Sequence, residues 1–287
     1  MKTTGTDRIF TGTVYTILIV CSLVVLLPFL YVVLVSFATK HEVLSRGFFL
    51  FPKEWTLNSY QFLFREHNFL KAFQNSLWIT FVGTVINMIL TSLMAYALAK
   101  RWLVGRKTIN LLVLITMLFN GGIISTYLVV NGLHLLDTYW SIWLTGAIAP
   151  FHLIVMRSFF QSFPIELEES SRMDGCGELR LFWNIVVPLS MPAIATFTLF
   201  YMVQNWNTFF NALIYINDSD KWPLQVYLRQ MLIEAADSSM SLDIEGFEYG
   251  PPVKMATVIV TAVPLLIVYP FLQKYFNKGM LLGSVKG

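Results

Sequence analysis

"EESSRMDGCGELRLFWNIVVP", residues 168–188, is the stretch on which the fold turns. It carries six charged side chains, Glu168, Glu169, Arg172, Asp174, Glu178 and Arg180, and is punctuated by Gly175, Gly177 and Pro188. Long apolar runs flank it on both sides. So polar a segment needs water, whereas the runs beside it are too greasy to face water on every side.

Composition agrees. The chain is 56% hydrophobic and only 13% charged, and a mean hydropathy of +0.62 lies well outside the range of soluble domains. An apolar run of about 18 residues is long enough to cross the hydrocarbon core as a helix. Six intervals free of Asp, Glu, Lys and Arg meet that length, at 9–39, 72–99, 108–136, 138–156, 181–217 and 255–273. They predict spans near 14–37, 73–98, 109–130, 139–159, 187–205 and 253–272, within a single transmembrane domain over 1–287. The alternating pattern of a membrane barrel is absent, and unpaired backbone groups are costly in lipid, so the fold class expected is an all-α membrane protein. Lys2 and Arg8 precede the first run as in a signal peptide, but the run is too long and lacks a small-x-small cleavage site, which predicts an uncleaved first span. Cys21 falls in that span and Cys176 in the polar stretch. A disulfide is not expected between them, and neither has ligand spacing for a metal.

With the N-terminus placed in the cytoplasm, twelve of the twenty basic residues fall on inner segments. The eight outer ones lie mostly in long loops, which weigh little under the positive-inside rule. "KRWLVGRK", 100–107, is the sharpest cluster, and snorkelling of its basic side chains to a membrane surface gives the same orientation. Both termini and the loop 161–188 are thus expected inside. Acidic residues gather in an outer loop, 217–252, where Leu224, Tyr227, Leu228, Met231 and Leu232 recur at helical spacing. Trp222 and Pro223 mark the start of that helix, either an amphipathic surface element or a docking surface.

Within the polar stretch, Pro164 suits a first helical turn, Glu166, Glu168 and Glu169 favour the positive end of the helix dipole, and Gly175 offers a stop. A short helix over 164–174 follows. Ser170 and Ser171 are small enough to admit a neighbouring backbone, and Glu169 beside them is an acceptor for a basic partner. Beyond Gly175 and Gly177 a second helix is expected over 179–187, leading through Pro188 into the fifth span.

This pattern resembles the EAA loop of permease subunits of ATP-binding-cassette importers: Glu-Ala-Ala, then Asp-Gly-Ala or Gly, then Ile-x-Leu-Pro. The matching residues are Glu169, Ser170, Ser171, Asp174, Gly175, Cys176, Ile185, Val187 and Pro188. Ser-Ser, Cys and Val replace Ala-Ala, Ala and Leu, all of similar small or aliphatic character. "NWNTFFNALIYI", 205–216, and "YPFLQKYFNKGMLLGSVKG", 269–287, extend the resemblance to the carbohydrate-importer permeases. It is strongest toward the complex-saccharide branch with its LplC-like, YtcP-like and alginate-importer subunits. The resemblance implies a non-catalytic permease in the bacterial cytoplasmic membrane, transporting an oligo- or polysaccharide. It further implies a second homologous permease, two cytoplasmic ATPase subunits that hold ATP and Mg, and an extracytoplasmic solute-binding protein. Glu169, Ser170, Ser171, Asp174, Gly175, Ile185 and Pro188 would then form the ATPase-coupling site, and the tail 274–287 would approach the ATPases as it does in a similar permease. The chain has no G-x-x-x-x-G-K-[ST] phosphate loop, which leaves ATP chemistry to partners.

Sugars are recognised by planar hydrogen-bonding groups and aromatic faces. Asn87, Asn120, Tyr201, Asn205 and Trp206 are therefore the candidate pathway residues, and bonding between helices is the competing role for each. Permeases for peptides or other solutes share the EAA loop and remain the nearest alternative. A secondary transporter or an intramembrane enzyme would want carboxylates inside the spans, and those are nearly absent.

Overall fold

The structure, a computed structural model, describes residues 5–173, 175–237, 243–244, 247–248 and 250–284. Its elements are helical apart from one antiparallel pair of two-residue strands, Asp243–Ile244 with Phe247–Glu248. In order, the helices are α1 (Gly5–Ser36), α2 (Lys40–Arg46), α3 (Asn58–Arg65), α4 (His67–Ala99), α5 (Arg106–Leu118), α6 (Gly122–Gly132), α7 (Trp140–Thr145) and α8 (Pro150–Gln161). After these come α9 (Ile165–Met173), α10 (Glu178–Leu181), a π-helical turn (Phe182–Val186), α11 (Val187–Leu189), α12 (Met191–Trp206), α13 (Phe210–Tyr215), α14 (Leu224–Asp237) and α15 (Pro251–Ser284). Contacts divide the chain into two compact units, one running to Leu70 and including Leu228–Val263, the other comprising Lys71–Tyr227 and the chain from Pro264.

In the first unit, none of the most apolar window of α1 is covered by protein, as suits a helix facing lipid or another subunit. Its far end is anchored. Val35, Ala38 and Phe49 are buried together with Tyr31, Val43 and Met255 packed around them, and the Ser36 and Tyr60 hydroxyls bond at 2.7 Å. The loop after α2 is held by Glu42, whose carboxylate pairs with Arg46 and accepts the Lys53 N–H at 2.9 and 3.1 Å.

The second unit is built along α4. At one end Ile79 joins Ile142, Ala212, Ile216 and Val226 in an apolar cluster. At the other, Ala95, Tyr96 and Leu98 join Val113, Leu153, Met156, Phe160, Phe182, Val186 and Phe197. Between the two lies a polar belt. The Asn87 amide donates to the carbonyls of Gly146 (2.7 Å) and Ala147 (3.0 Å) and accepts from Asn205 (2.8 Å). The Thr91 and Tyr201 hydroxyls bond at 2.7 Å, and Tyr201 also accepts the Ala149 N–H at 3.0 Å. Gly146–Ala149 interrupts the helix between α7 and α8; the Gly146 and Ala147 carbonyls it exposes are met from α4 by Asn87, and the Ala149 N–H from α12 by Tyr201.

Three of the six uncharged runs form an unbroken helix long and apolar enough to cross a membrane: Phe10–Ser36, His67–Ala99 and Pro251–Pro270. The other three are broken. α5 and α6 meet at 118°, where Gly122 adopts φ +80 after Asn120 and Gly121. α7 and α8 separate at Gly146, and the stretch Glu178–Leu189 turns 84° into α12 at Ser190. The expected third span over 109–130 is thus not one straight helix, and the expected fifth span over 187–205 contains the bend at Ser190. Counting each bent pair as one span gives up to five candidates.

Two loops expected on the same side are joined directly. Asp137, itself at φ +58, accepts the N–H groups of Asn217 (2.6 Å) and Asp218 (3.0 Å). Nearby, Asp220 pairs with Lys71 at 2.6 Å, and Asn75 donates to the Asp220 and Trp222 carbonyls. The N–H of Asp218, then that of Asn217, hold the Asp137 carboxyl below the ordinary aspartate value, against the opposing effect of burial. Because the folded value is depressed, this junction stabilises the fold above the ordinary aspartate value of 3.8, and the contribution is lost as pH falls through the lowered value. Asp137→Asn should therefore lower the melting temperature of the purified protein at pH 7, and the gap to wild type should close below the ordinary aspartate range. A gap that persists unchanged at pH 3 would show that the carboxylate charge is not what holds the junction.

Gly83 faces the belt. A Cβ there would sit 2.9 Å from Asn205 Nδ2 and 3.1 Å from Trp143 Cδ1. Asn205 is pinned by Asn87 and the Trp143 indole donates to the Ile79 carbonyl at 3.2 Å, so neither yields without breaking a bond. Gly83→Ala should destabilise the fold by roughly 1–3 kcal/mol as an overpacking change, seen as a lowered melting temperature in detergent. A Gly83→Ala protein as stable as wild type would show that the belt accommodates the methyl group.

Candidate functional site

The loop 161–188 starts where α8 ends at Gln161. Pro164, with its fixed φ and no N–H to satisfy, stands immediately before α9, and Glu166 and Glu168 occupy the first turn of α9, where the helix dipole favours negative charge. The expected helix over 164–174 is thus seen as α9. Glu169 and Ser170 are exposed and Ser171 is buried. Asp174 lies outside the described residues. Gly175 takes φ +76, a conformation that costs glycine nothing, and the Cys176 N–H returns to the Ser171 carbonyl at 3.0 Å, closing the end of the helix.

After the bend the chain winds through α10, the π-turn and α11. The Val187 N–H reaches back to the Phe182 carbonyl, and the wider turn suits a segment about to meet Pro188, whose missing N–H interrupts the ordinary ladder. Phe182 and Val186 face the inner core, whereas Ile185 is half-buried and Pro188 exposed. Met173, Leu179 and Trp183 stand out on the surface of the loop. Charged, small and apolar groups are thus offered together, a mixed surface suited to a protein partner.

A charge cluster that local sequence reading does not anticipate ties this loop to the end of α4. Lys100 was expected among the snorkelling residues of "KRWLVGRK". Arg101 and Lys107 are exposed as expected, but Lys100 is turned inward and only 5% exposed. Its ammonium pairs with Glu168 at 2.5 Å, lies 4.0 Å from Glu178 and sits 4.2 Å from the centre of the Tyr96 ring. Tyr96 donates its hydroxyl to Glu178 at 2.8 Å. A buried ammonium needs such partners, because taking it out of water uncompensated is costly. Arg106 is also turned back, donating from Nε to the Leu98 carbonyl at 2.9 Å, which satisfies an orphan group at the end of α4. The available signal was Tyr96 four residues before Lys100 at the end of an apolar run, opposite a Glu-Glu pair.

The five candidate pathway residues divide. Asn87, Tyr201 and Asn205 direct their polar groups into the belt between helices, and Trp206 is buried with its ring edge-on to Phe73 at 6.0 Å. Asn120 is exposed at the break between α5 and α6, where its side-chain oxygen accepts the Gly122 N–H at 2.9 Å. His152, also intramembrane by sequence, is enclosed by Phe197, Phe200 and Tyr201. Among the described residues no group of His, Cys, Asp and Glu is arranged to hold a metal.

Residues 4–282 match the family model described as the inner membrane component of binding-protein-dependent transport systems. The chain is 47% identical over 284 residues to the polygalacturonan/rhamnogalacturonan transport system permease protein YtcP of Bacillus subtilis, covering 98% of this chain and 99% of that one. It is 51% identical over 266 residues to protein LplC of the same organism, covering 92% and 90%. Its fold is similar, with a TM-score of 0.89 and 31% identity over 96% of this chain and 99% of the other, to a chain of a bacterial ABC transporter involved in the import of the acidic polysaccharide alginate. The chain therefore belongs to the family of binding-protein-dependent transport system inner membrane components, as a multi-pass, non-catalytic permease subunit of an ABC importer.

Proposed function

We propose that this permease forms half of the translocation pathway for a saccharide, with uronate-bearing oligosaccharides as the first class to expect. The observation carrying this is the near-full-length similarity to a permease named for polygalacturonan and rhamnogalacturonan and to a subunit of the importer of an acidic polysaccharide. Its partners are a second, homologous permease, two cytoplasmic ATPases that hold ATP and Mg, and an extracytoplasmic binding protein.

Six spans near 14–37, 73–98, 109–130, 139–159, 187–205 and 253–272 are the topology we assign, with both termini in the cytoplasm. Two observations support it. Lys71, Asp137, Asn217 and Asp220 meet at the start of α4, and Lys100, Glu168 and Glu178 at its other end, as alternating loops require. The basic cluster 100–107 belongs to the second group, which the positive-inside rule puts in the cytoplasm. The outer loop 217–252, parts of which lie outside the described residues, then faces the binding protein. So does a recess of about 460 Å³ whose lining includes Lys40, Asn58 and Gln61.

In this arrangement α9 is the coupling helix. Glu169, Ser170 and the exposed Met173 and Leu179 meet the ATPase. Ser171 and the Gly175 turn set the helix against the rest of the chain, and Ile185 and Pro188 lead toward the fifth span; Asp174 completes the motif. Closure of the ATPases on ATP draws the coupling helices together and rocks the spans from inward- to outward-facing. In the pathway, Asn120 is the side chain placed to meet solute, while Asn87, Asn205, Tyr201 and Trp206 hold the helices around it.

Binding-protein-stimulated ATP hydrolysis by the reconstituted complex tests the substrate and the coupling helix together. Uronate oligomers should stimulate where neutral oligosaccharides and peptides do not, and Glu169→Lys should abolish stimulation while the permeases still assemble. Stimulation by peptides alone would overturn the saccharide assignment, and normal coupling in Glu169→Lys would remove α9 from the motor contact. Sidedness is separable: in a Cys21→Ser background, a membrane-impermeant maleimide should label Ser219→Cys on intact cells and Cys176 only after permeabilisation. The reverse pattern would invert the topology.

A further inference from the structure

We propose that Lys100 is the positioning residue that locks the loop 161–188 to α4, so that a push on α9 moves the second span and not merely the loop. The proposal rests on α9 being the coupling helix. Two glycines, Gly175 at φ +76 and Gly177, separate α9 from α10, and a push on one arm of such a bend would be absorbed by it. Glu168 stands before the bend and Glu178 after it, and both face one ammonium. Tyr96 fixes the second of them from beneath. Three helices thus meet at one buried point, and the bend is braced.

The covalent route onward is softer. It passes through the π-turn and then an 84° break at Ser190 before reaching α12. α4, by contrast, is continuous over 33 residues and leads to the Asn87 amide, which grips the Gly146 and Ala147 carbonyls and the Asn205 side chain. Movement of the Lys100 end is therefore delivered to the α7–α8 junction and to α12 at the polar belt. An ionic brace also suits a cycle with two strokes. An apolar contact resists compression but slips in shear and separates under tension, whereas an ammonium shared between two carboxylates resists all three.

The test uses the assembled complex with both permeases, the ATPases and the binding protein in lipid vesicles, reading solute uptake, stimulated ATP hydrolysis and melting temperature. Lys100→Met keeps the length of the side chain and removes the charge, and should lower uptake and stimulation by about tenfold, within the range of site-to-site coupling, with the ATPases still bound. Lys100→Arg should retain most of both. Lys100→Met combined with Glu168→Gln removes the buried ammonium together with the charge of its nearer, half-buried carboxylate, so it should recover the melting temperature while uptake stays low. Recovery of uptake together with stability would mean that the cluster serves folding alone and would overturn the proposal. If Glu169→Lys uncouples and Lys100→Met does not, the brace fails while the coupling helix stands. If neither uncouples, both fail.

Discussion

Inside a layer without water, a polar group is costly unless it finds a partner within the protein, and in this chain α4 supplies the partners for the broken backbone beside it. The helix presents Thr84, Asn87 and Thr91 at its middle and ends at Ala99, with Lys100 directly after it. From Ile79 to Lys100 it rises about 30 Å at 1.5 Å per residue, the thickness of a hydrocarbon core. The broken backbone at Gly146–Ala149 is tolerable there because Asn87 answers the Gly146 and Ala147 carbonyls and Tyr201 the Ala149 N–H. Had those positions been apolar, the interruption would have cost several kcal/mol for each unsatisfied group.

The membrane class, the α9 helix and the family resemblance were all legible in the sequence, because each rests on local information: uncharged runs, dipole-matched acids before a glycine stop, and a motif of fixed spacing. The breaks were less so. Hydropathy integrates over a window and is blind to direction, so "FNGGI" and "LTGAIAP" read as parts of spans although Gly122 and Gly146 interrupt their helices. The turn at Ser190 was hinted at by Pro188 and Pro192, yet a proline near a membrane surface is equally compatible with a first helical turn. The burial of Lys100 was hidden for another reason. A lysine at the end of a greasy run ordinarily snorkels to water, and what turns this one inward is a pair of carboxylates 68 and 78 residues further along.

The polar residues of the spans illustrate the same limit. Asparagine and tyrosine serve equally to hold a sugar or a neighbouring helix, and composition cannot separate the two uses. Hydrogen-bond partners show which of these side chains already serve the helices. The buried Asn87 amide spends both donors and one lone pair of its oxygen on protein groups, whereas Asn120 is exposed beside a glycine break. A permease that moves a large, hydrated solute gains from such a division. Interhelical bonds that changed with each passing sugar would tie the stability of the bundle to its cargo.

Two kinds of polar contact therefore carry different duties on one helix. The belt is made of neutral groups, whose bonds are worth about 1 kcal/mol each in a membrane. They hold the helices in register yet can be exchanged as the spans rock. The cluster at Lys100 is ionic and is shared among three helices at the end of α4. Under the proposed coupling through α9, the stiff contact stands at the end that is pushed and the yielding contacts where the pathway must open, so that one helix would act both as a lever and as a wall of the passage.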